Sequence, residues 1–584
     1  MAPTRFWYSA YPNLTTDNIR TNADIRRGLS GAMTEEEADT WLALFGSAAR
    51  PVEKLVSSEI QSIVFGGLGF MPFGACLVVE LPEKVDAARR WLQFVSEHIA
   101  YNDGRRLRRT AVVTLALGAR GLERLGLPEE GLATFPFAFL DGMTNAARAR
   151  ILGDFGENGS EHWRWGRTAP DAVLLVYGET PGDLAALEGS LSQSAADLGM
   201  AAFHRIPLRP VSTLKRDAQK KGDDDPQKDK REPFGFVDGI SQPVIRGTYK
   251  GLRNADRIHL VEPGEFILGY PDNRGNIPPG PTLAATLDPA NKLPLVSGSL
   301  DFSRTVVENQ RDIGFNGSFL VIRELEQDVD GFWDYCGSEA ARLADRLPQP
   351  YVIDKQFIAA KLIGRWTDGS SLMRHPYESQ TAAKERALKR WHASFGAKAA
   401  KLAVQGPQAT KRPPSKPASA AAHPIPEAPD QSYRIDNDFL FGTEDPEALR
   451  CPFGSHIRRA NPRDSLDPGS QDQIDISNRH RVIRIGRPLG AEKPGLLFMC
   501  LNGDIERQFE FLQQSWLRSP SFHGLSCEKD PVLGDGAAGV CSYTIPTRDG
   551  PVRLSPMPRF VTTRGGGYFF LPGKRLVEYL CAPP

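Results

Sequence analysis

The chain reads as an α+β protein of two domains, each an apolar sheet with helices on one face. Three observations carry this. A strand-then-helix pattern recurs: "GACLVVELPEKVDAARRW" (74–91), "GSFLVIRELEQDVDGFW" (317–333) and "GLLFMCLNGDIERQFEFLQQSW" (495–516) each run from a short apolar stretch through a polar turn into a helical pattern. No GxGxxG or P-loop follows any strand, which counts against the main competitor, a doubly wound parallel sheet. At 584 residues, 40% hydrophobic and 24% charged, the chain has material for more than one sizeable core.

Residues 1–55 are polar and mixed, and read as an N-terminal arm. In the first unit Val85, Ala88, Leu92, Val95 and Ile99 recur at steps of three and four, one face of a helix. "TAVVTLAL" (110–117) and "DAVLLVYG" (171–178) are short apolar runs of strand type. "PGDLAALEGSLSQSAADLG" (181–199) is a second helix ending at a glycine. The first domain is assigned to 56–245 and the second to 246–584. In the third unit Ile505, Phe509, Leu512 and Trp516 line one helical face. "RFVTTRGGGYFFLPG" (559–573) predicts two strands about a glycine-rich turn. Two stretches lack core character. "LKRDAQKKGDDDPQKDKR" (214–231) is a solvated charged loop, and the Pro/Ala-rich 406–430 is an extended linker interrupting the second domain.

Charge is balanced, 71 basic against 71 acidic side chains, so nothing selects a nucleic acid or an anionic membrane as partner. No apolar run approaches the roughly 20 residues that cross a bilayer, and the start lacks the order of a secretion signal. Seven scattered cysteines (76, 336, 451, 500, 527, 541, 581) without a CxxC point to reduced thiols in a cytoplasm.

Three residues could carry chemistry. Asp238 is the lone acid of "EPFGFVDGISQP" (232–243), although Asp-Gly is also an ordinary turn pair. His456 stands in "CPFGSHIRRANPRD" (451–464), with no second ligand at zinc spacing. A lone histidine is commonly just hydrogen-bonded in a turn, yet one axial imidazole is all a haem iron asks of the protein. The arginines that follow it, Arg458 among them, could answer haem propionates by charge-assisted hydrogen bonds. Arg484 lies in "NRHRVIRIGRPLG" (478–490), where His480 competes with His456 as a ligand.

"EPFGFVDGISQP", "NDFLFGTEDPEALRCPFGSHIRRANPRD" (437–464) and "HRVIRIGRPLG" (480–490), in this order, resemble the dye-decolorizing peroxidase family. The resemblance extends from about residue 58 to the last strand and includes "LATFPFAFLDGM" (132–143) and "RDIGFNGSFLVIRELEQDV" (311–329). It implies two ferredoxin-like domains with antiparallel sheets and haem b between them. It implies His456 as the proximal iron ligand, Asp238 as the distal carboxylate, Arg484 as the distal arginine, and Leu496 and Phe498 as apolar distal lining. A proximal acid should hold the ligand histidine, and Asp530, Asp535 and Asp549 are the candidates. The implied activity is reduction of hydrogen peroxide with one-electron oxidation of bulky aromatic or dye-like reductants, by a monomer or homodimer. A haem carrier or sensor without turnover, and a haem-free scaffold, are the competing readings.

Overall fold

The computed structural model describes residues 55–66, 68–102, 109–211, 231–248, 257–296, 309–344, 346, 352–396, 436–534 and 542–582. The expected arm apart from residue 55, the charged loop apart from Arg231, the Pro/Ala-rich linker, and Asp535 lie outside these residues.

The N-terminal half contributes β1 (Phe73–Val79), α1 (Val85–Ser96), β2 (Ala111–Leu117), β3 (Ala172–Gly178), α2 (Pro181–Asp197) and β4 (His204–Leu208). β3 is "AVLLVYG" with every residue buried, so an unbroken apolar run here marks a strand covered on both faces. On α1 Ala88, Leu92 and Val95 are buried as the periodicity predicts, whereas Val85 is exposed and Ile99 lies past the helix end, bridged to Val113. α2 begins where Thr180 accepts the Asp183 amide, a cap worth about 1 kcal/mol. Leu184, Leu187, Leu191 and Ala195 then form its buried face.

The C-terminal half contributes β5 (Ser318–Gln327), α3 (Val329–Leu343), α4 (Lys355–Ile363), α5 (His456–Ala460), α6 (Gln471–Arg479), β6 (Ile483–Arg484), β7 (Arg487–Pro488), β8 (Gly495–Asn502) and β9 (Val561–Leu571). Between β8 and β9, residues 506–510 and 512–517 form wide helical turns that bury Phe509, Leu512 and Trp516.

Nine strands make one sheet in the order β6–β8–β5–β9–β2–β3–β1–β4, with β7 also paired to β8. Every pairing in it is antiparallel, so the parallel competitor is excluded. Each half follows the same rule: its fourth strand lies beside its first, then come the third and the second. That is the ferredoxin-like order, met twice. The halves meet edge to edge through β9 and β2, at Phe570 opposite Leu117, so neither edge is left open there.

One expectation is corrected. Residues 561–571 form a single strand with an irregularity between Thr563 and Gly565, not a hairpin. The glycines serve close packing: a Cβ on Gly565 would lie 2.4 Å from the Trp165 indole nitrogen, and one on Gly566 would lie 2.8 Å from the Ile322 carbonyl. Glycine in a strand can thus mark a close approach as well as a turn.

Candidate active site

A cavity of about 280 Å³ opens between the sheet of the C-terminal half and the segment around α5. Leu325 on β5 and Leu496 on β8 pair directly and face it, as do Arg323 and Phe498 two pairs along. Ile457, Val532 and Leu533 face it from the α5 side. Asp238, Arg484 and His456 all line this one space, although Asp238 lies more than 200 residues before the other two. Leu496 and Phe498 sit two apart on β8, as read from the sequence, and line it together.

His456 opens the short helix α5, and its Nδ1 lies 2.9 Å from Asp530 Oδ2. The fully buried Asp530 carboxylate accepts the Val532 and Leu533 amides through its other oxygen, at 2.9 and 2.8 Å. It is therefore ionised and fixed, and Nδ1 carries the proton it receives. Burial pushes the imidazole toward neutrality, but the charge and hydrogen bond of Asp530 outweigh that and raise its pKa. Burial likewise disfavours the Asp530 anion, and His456, the Leu533 amide and Arg459 overcome it, leaving the carboxyl below its usual range. Of the two candidate acids among the described residues, Asp530 is the one at His456. Asp549 is exposed on the turn between two short strands, Tyr543–Ile545 and Val552–Leu554.

Asp238 and Arg484 meet at 3.3 Å, Nη2 to Oδ1, with the side chains 38% and 30% exposed, so solvent reaches this pair. Gln242 brings them together. Its side-chain amide donates to the Arg484 carbonyl at 2.6 Å and accepts the Arg484 amide at 3.1 Å, pinning the acid-bearing loop to β6. Gly239 at φ +79 turns the chain directly after the acid.

Arg458 is corrected. It is fully buried and bonded to Cys451 O, Ser465 Oγ and both an oxygen of the side chain and the carbonyl of Asp445, with its guanidinium 4.5 Å over the Phe453 ring. Two residues along a helix is a rotation of about 200°, so Arg458 leaves α5 on the side away from the His456 imidazole and does not line the cavity. Arg459 turns inward as well, onto the carbonyls of Trp516 and Glu528. Among the cations that do line the cavity is Arg481, which sequence reading missed. It is buried, and its hydrogen bonds among the described residues go to neutral acceptors: Ser241 O at 3.0 Å, Ile258 O at 3.4 Å and His259 Nδ1 at 3.4 Å. His480 does not compete for the site, since its Nδ1 lies 2.6 Å from Arg507 O and its ring stacks on Phe511.

Among the described residues, no group of three or more His, Cys, Asp or Glu side chains is arranged to hold a metal ion. No helix among the described residues is long and apolar enough to cross a membrane.

No protein-family model matches the chain. It is 25% identical over 575 residues to the multifunctional dye peroxidase DyP2 of Amycolatopsis sp., covering 93% of this chain and 98% of that one. It is 24% identical over 501 residues to peroxidase 2 of Mycetinis scorodonius, covering 80% and 76%. Among solved structures, a DyP-type peroxidase of Anabaena sp. superposes with TM-score 0.60 at 19% identity over 90% of this chain and 94% of that one. An ancestral D-type dye decolorizing peroxidase superposes with TM-score 0.62 at 23% identity over 91% and 100%. The fold is the ferredoxin-like pair of these peroxidase structures, and one cavity holds a histidine–carboxylate dyad and an acid–guanidinium pair. Over most of its length the chain is similar to dye-decolorizing peroxidases, and it shares the fold of their solved structures.

Proposed function

We propose that the cavity binds haem b through His456 Nε2 and that the protein reduces hydrogen peroxide at the expense of bulky aromatic or dye-like reductants, oxidised one electron at a time. When bound, haem supplies the redox centre at which the peroxide O–O bond is broken. The observation that carries the reading is that His456–Asp530 and Asp238–Arg484 line a single cavity.

The residues fit the group. Leu325, Leu496, Phe498, Ile457 and Leu533 offer apolar surface from two sides. Arg481 is a buried cation bonded to neutral acceptors, and a buried charge left uncompensated is costly. A propionate would answer it, and Arg365 lines the same cavity. Asp530 sets the proton on Nδ1, leaving Nε2 as the lone-pair donor and raising its basicity.

Asp238 does the proton work. A carboxylate within reach of incoming peroxide accepts its proton and returns it to the departing oxygen. Arg484 attracts the hydroperoxide anion and stabilises negative charge on the leaving oxygen. With the domain division near residue 245, Asp238 belongs to the N-terminal part and Arg484 to the C-terminal part, so the pair exists only when both parts fold together. A reducing compartment is supported by six free cysteines among the described residues, four of them buried.

The test is an absorption spectrum before and after one equivalent of peroxide, followed by peroxide-dependent bleaching of an anthraquinone dye. A Soret band that responds to peroxide, together with bleaching, is expected. A Soret band without bleaching would instead identify a carrier or sensor, and no band would identify a haem-free scaffold.

A further inference from the structure

Six residues before Asp238, a second carboxylate lines the same cavity. Glu232 folds back on its own loop. Its Oε1 accepts the Phe236 amide at 2.9 Å, and its Oε2 accepts both the Phe234 amide and the Gln327 side-chain amide, each at 2.9 Å. The backbone closes around it: the Glu232 amide donates to Phe236 O at 3.0 Å and the Gly235 amide to Glu232 O at 2.8 Å, with Gly235 at φ +98. Arg231 holds the outside of the turn through Gly235 O and Thr367 O, at 2.9 and 2.6 Å. Phe234 and Phe236 are thereby presented to Phe332 and Trp333, with ring centroids 4.6 and 6.3 Å apart. Gln327 sits on β5, two residues from Leu325 on the cavity face, so its bond ties this loop to the sheet.

We propose that Glu232 is the positioning residue of the acid–base centre: it clamps residues 232–237 into the turn that delivers Asp238 to Arg484. The inference rests on the reading of Asp238 as proton carrier. Three features support a role beyond filling space. All three groups meeting the carboxylate are N–H donors, so only an acceptor-only side chain satisfies them at once. The loop is short, so a loss of registry at Phe236 reaches Asp238 within two residues. Keeping a carboxylate here is also costly, since burial first and the nearby Asp238 charge second raise its pKa.

Glu232→Gln is the sharp variant. It keeps the shape and places an NH₂ group against an N–H donor. The expected outcome is a normal Soret band and melting temperature with the bimolecular reaction with peroxide slowed by about 10-fold or more, the scale of a small misplacement of a reacting group. Cyanide affinity, titrated by the Soret shift, should weaken in parallel. The decisive comparison is the double variant Glu232→Gln/Asp238→Asn. If Glu232 acts through Asp238, the double variant is no slower than Asp238→Asn alone, because the two residues work as one unit. Multiplied losses in the double variant, or a wild-type peroxide rate in Glu232→Gln while Asp238→Asn is slow, would overturn the proposal alone. A wild-type rate in Asp238→Asn would overturn the underlying reading as well. Should Glu232→Gln lose its Soret band, Gln327→Met carries the test: it removes one donor, a loss of a few fold is expected, and that loss must vanish in the Asp238→Asn background. Failure to vanish, or no loss at all, overturns the proposal.

Discussion

Two charged pairs meet at the cavity, and they are built differently. The His456–Asp530 pair is tight, at 2.9 Å, with a carboxylate wholly removed from water and saturated by two backbone amides. The Asp238–Arg484 pair is looser, at 3.3 Å, and both members keep about a third of their surface exposed. The first arrangement suits a group that must hold one protonation state and one orientation. The second suits a group that must exchange a proton with an incoming molecule on every cycle, for which a buried, saturated carboxylate would be useless. The contrast teaches that similar residue types were sorted by solvation, not by identity.

Replacing the anchor tests that contrast most severely. His456→Ala is expected to abolish both the Soret band and peroxide consumption, and retained pigment would break the assignment of the tight pair. Next in size, Asp238→Asn and Arg484→Leu should each slow the stopped-flow reaction with peroxide by about 10², the usual scale for an acid–base group and for a charge-stabilising donor. Both should leave the Soret band in place, because the loose pair does not hold the cofactor. Asp530→Asn should act on retention instead, with haem transferring to apomyoglobin about 10-fold faster, the scale of losing a carboxylate that orients a ligand histidine.

The smallest effect is a pH dependence in haem-free protein. Asp530 titrates below its ordinary value in the fold, so its contribution to stability is complete above about 3.9 and lost as pH falls through the depressed value. His456 titrates above its ordinary value, so its contribution is complete below about 6.5 and lost as pH rises through the raised one. The melting-temperature gap between wild type and Asp530→Asn should therefore be widest between about pH 4 and 6.5 and narrow on both sides. A gap independent of pH would show that the pair contributes packing alone.

Much of this site was legible beforehand. Asp238, His456 and Arg484 each lie in a distinctive motif, and the family resemblance pointed to Leu496 and Phe498, which strand alternation puts on one face. The acid at His456 was narrowed to three candidates, because nothing local marks a partner 74 residues away. Arg458 misled because a basic residue two positions from a ligand looks close in sequence, whereas helical rotation carries it to the far side. Arg481 and Gln242 gave no signal: one is a single cation in an arginine-rich strand approach, the other a loop glutamine whose value lies in bonding both backbone groups of Arg484.

Local pattern marked most of the elements, since strand and helix periodicities depend on which side of each segment must leave water, and local motifs marked the candidate site residues. The joining of two four-strand orders into one sheet, the extension of 561–571 as a bulged strand, and the pairing of Asp530 with His456 were decided in three dimensions. Those outcomes depend on which surfaces come into contact, and such contacts link residues whose neighbours in the chain carry no trace of one another.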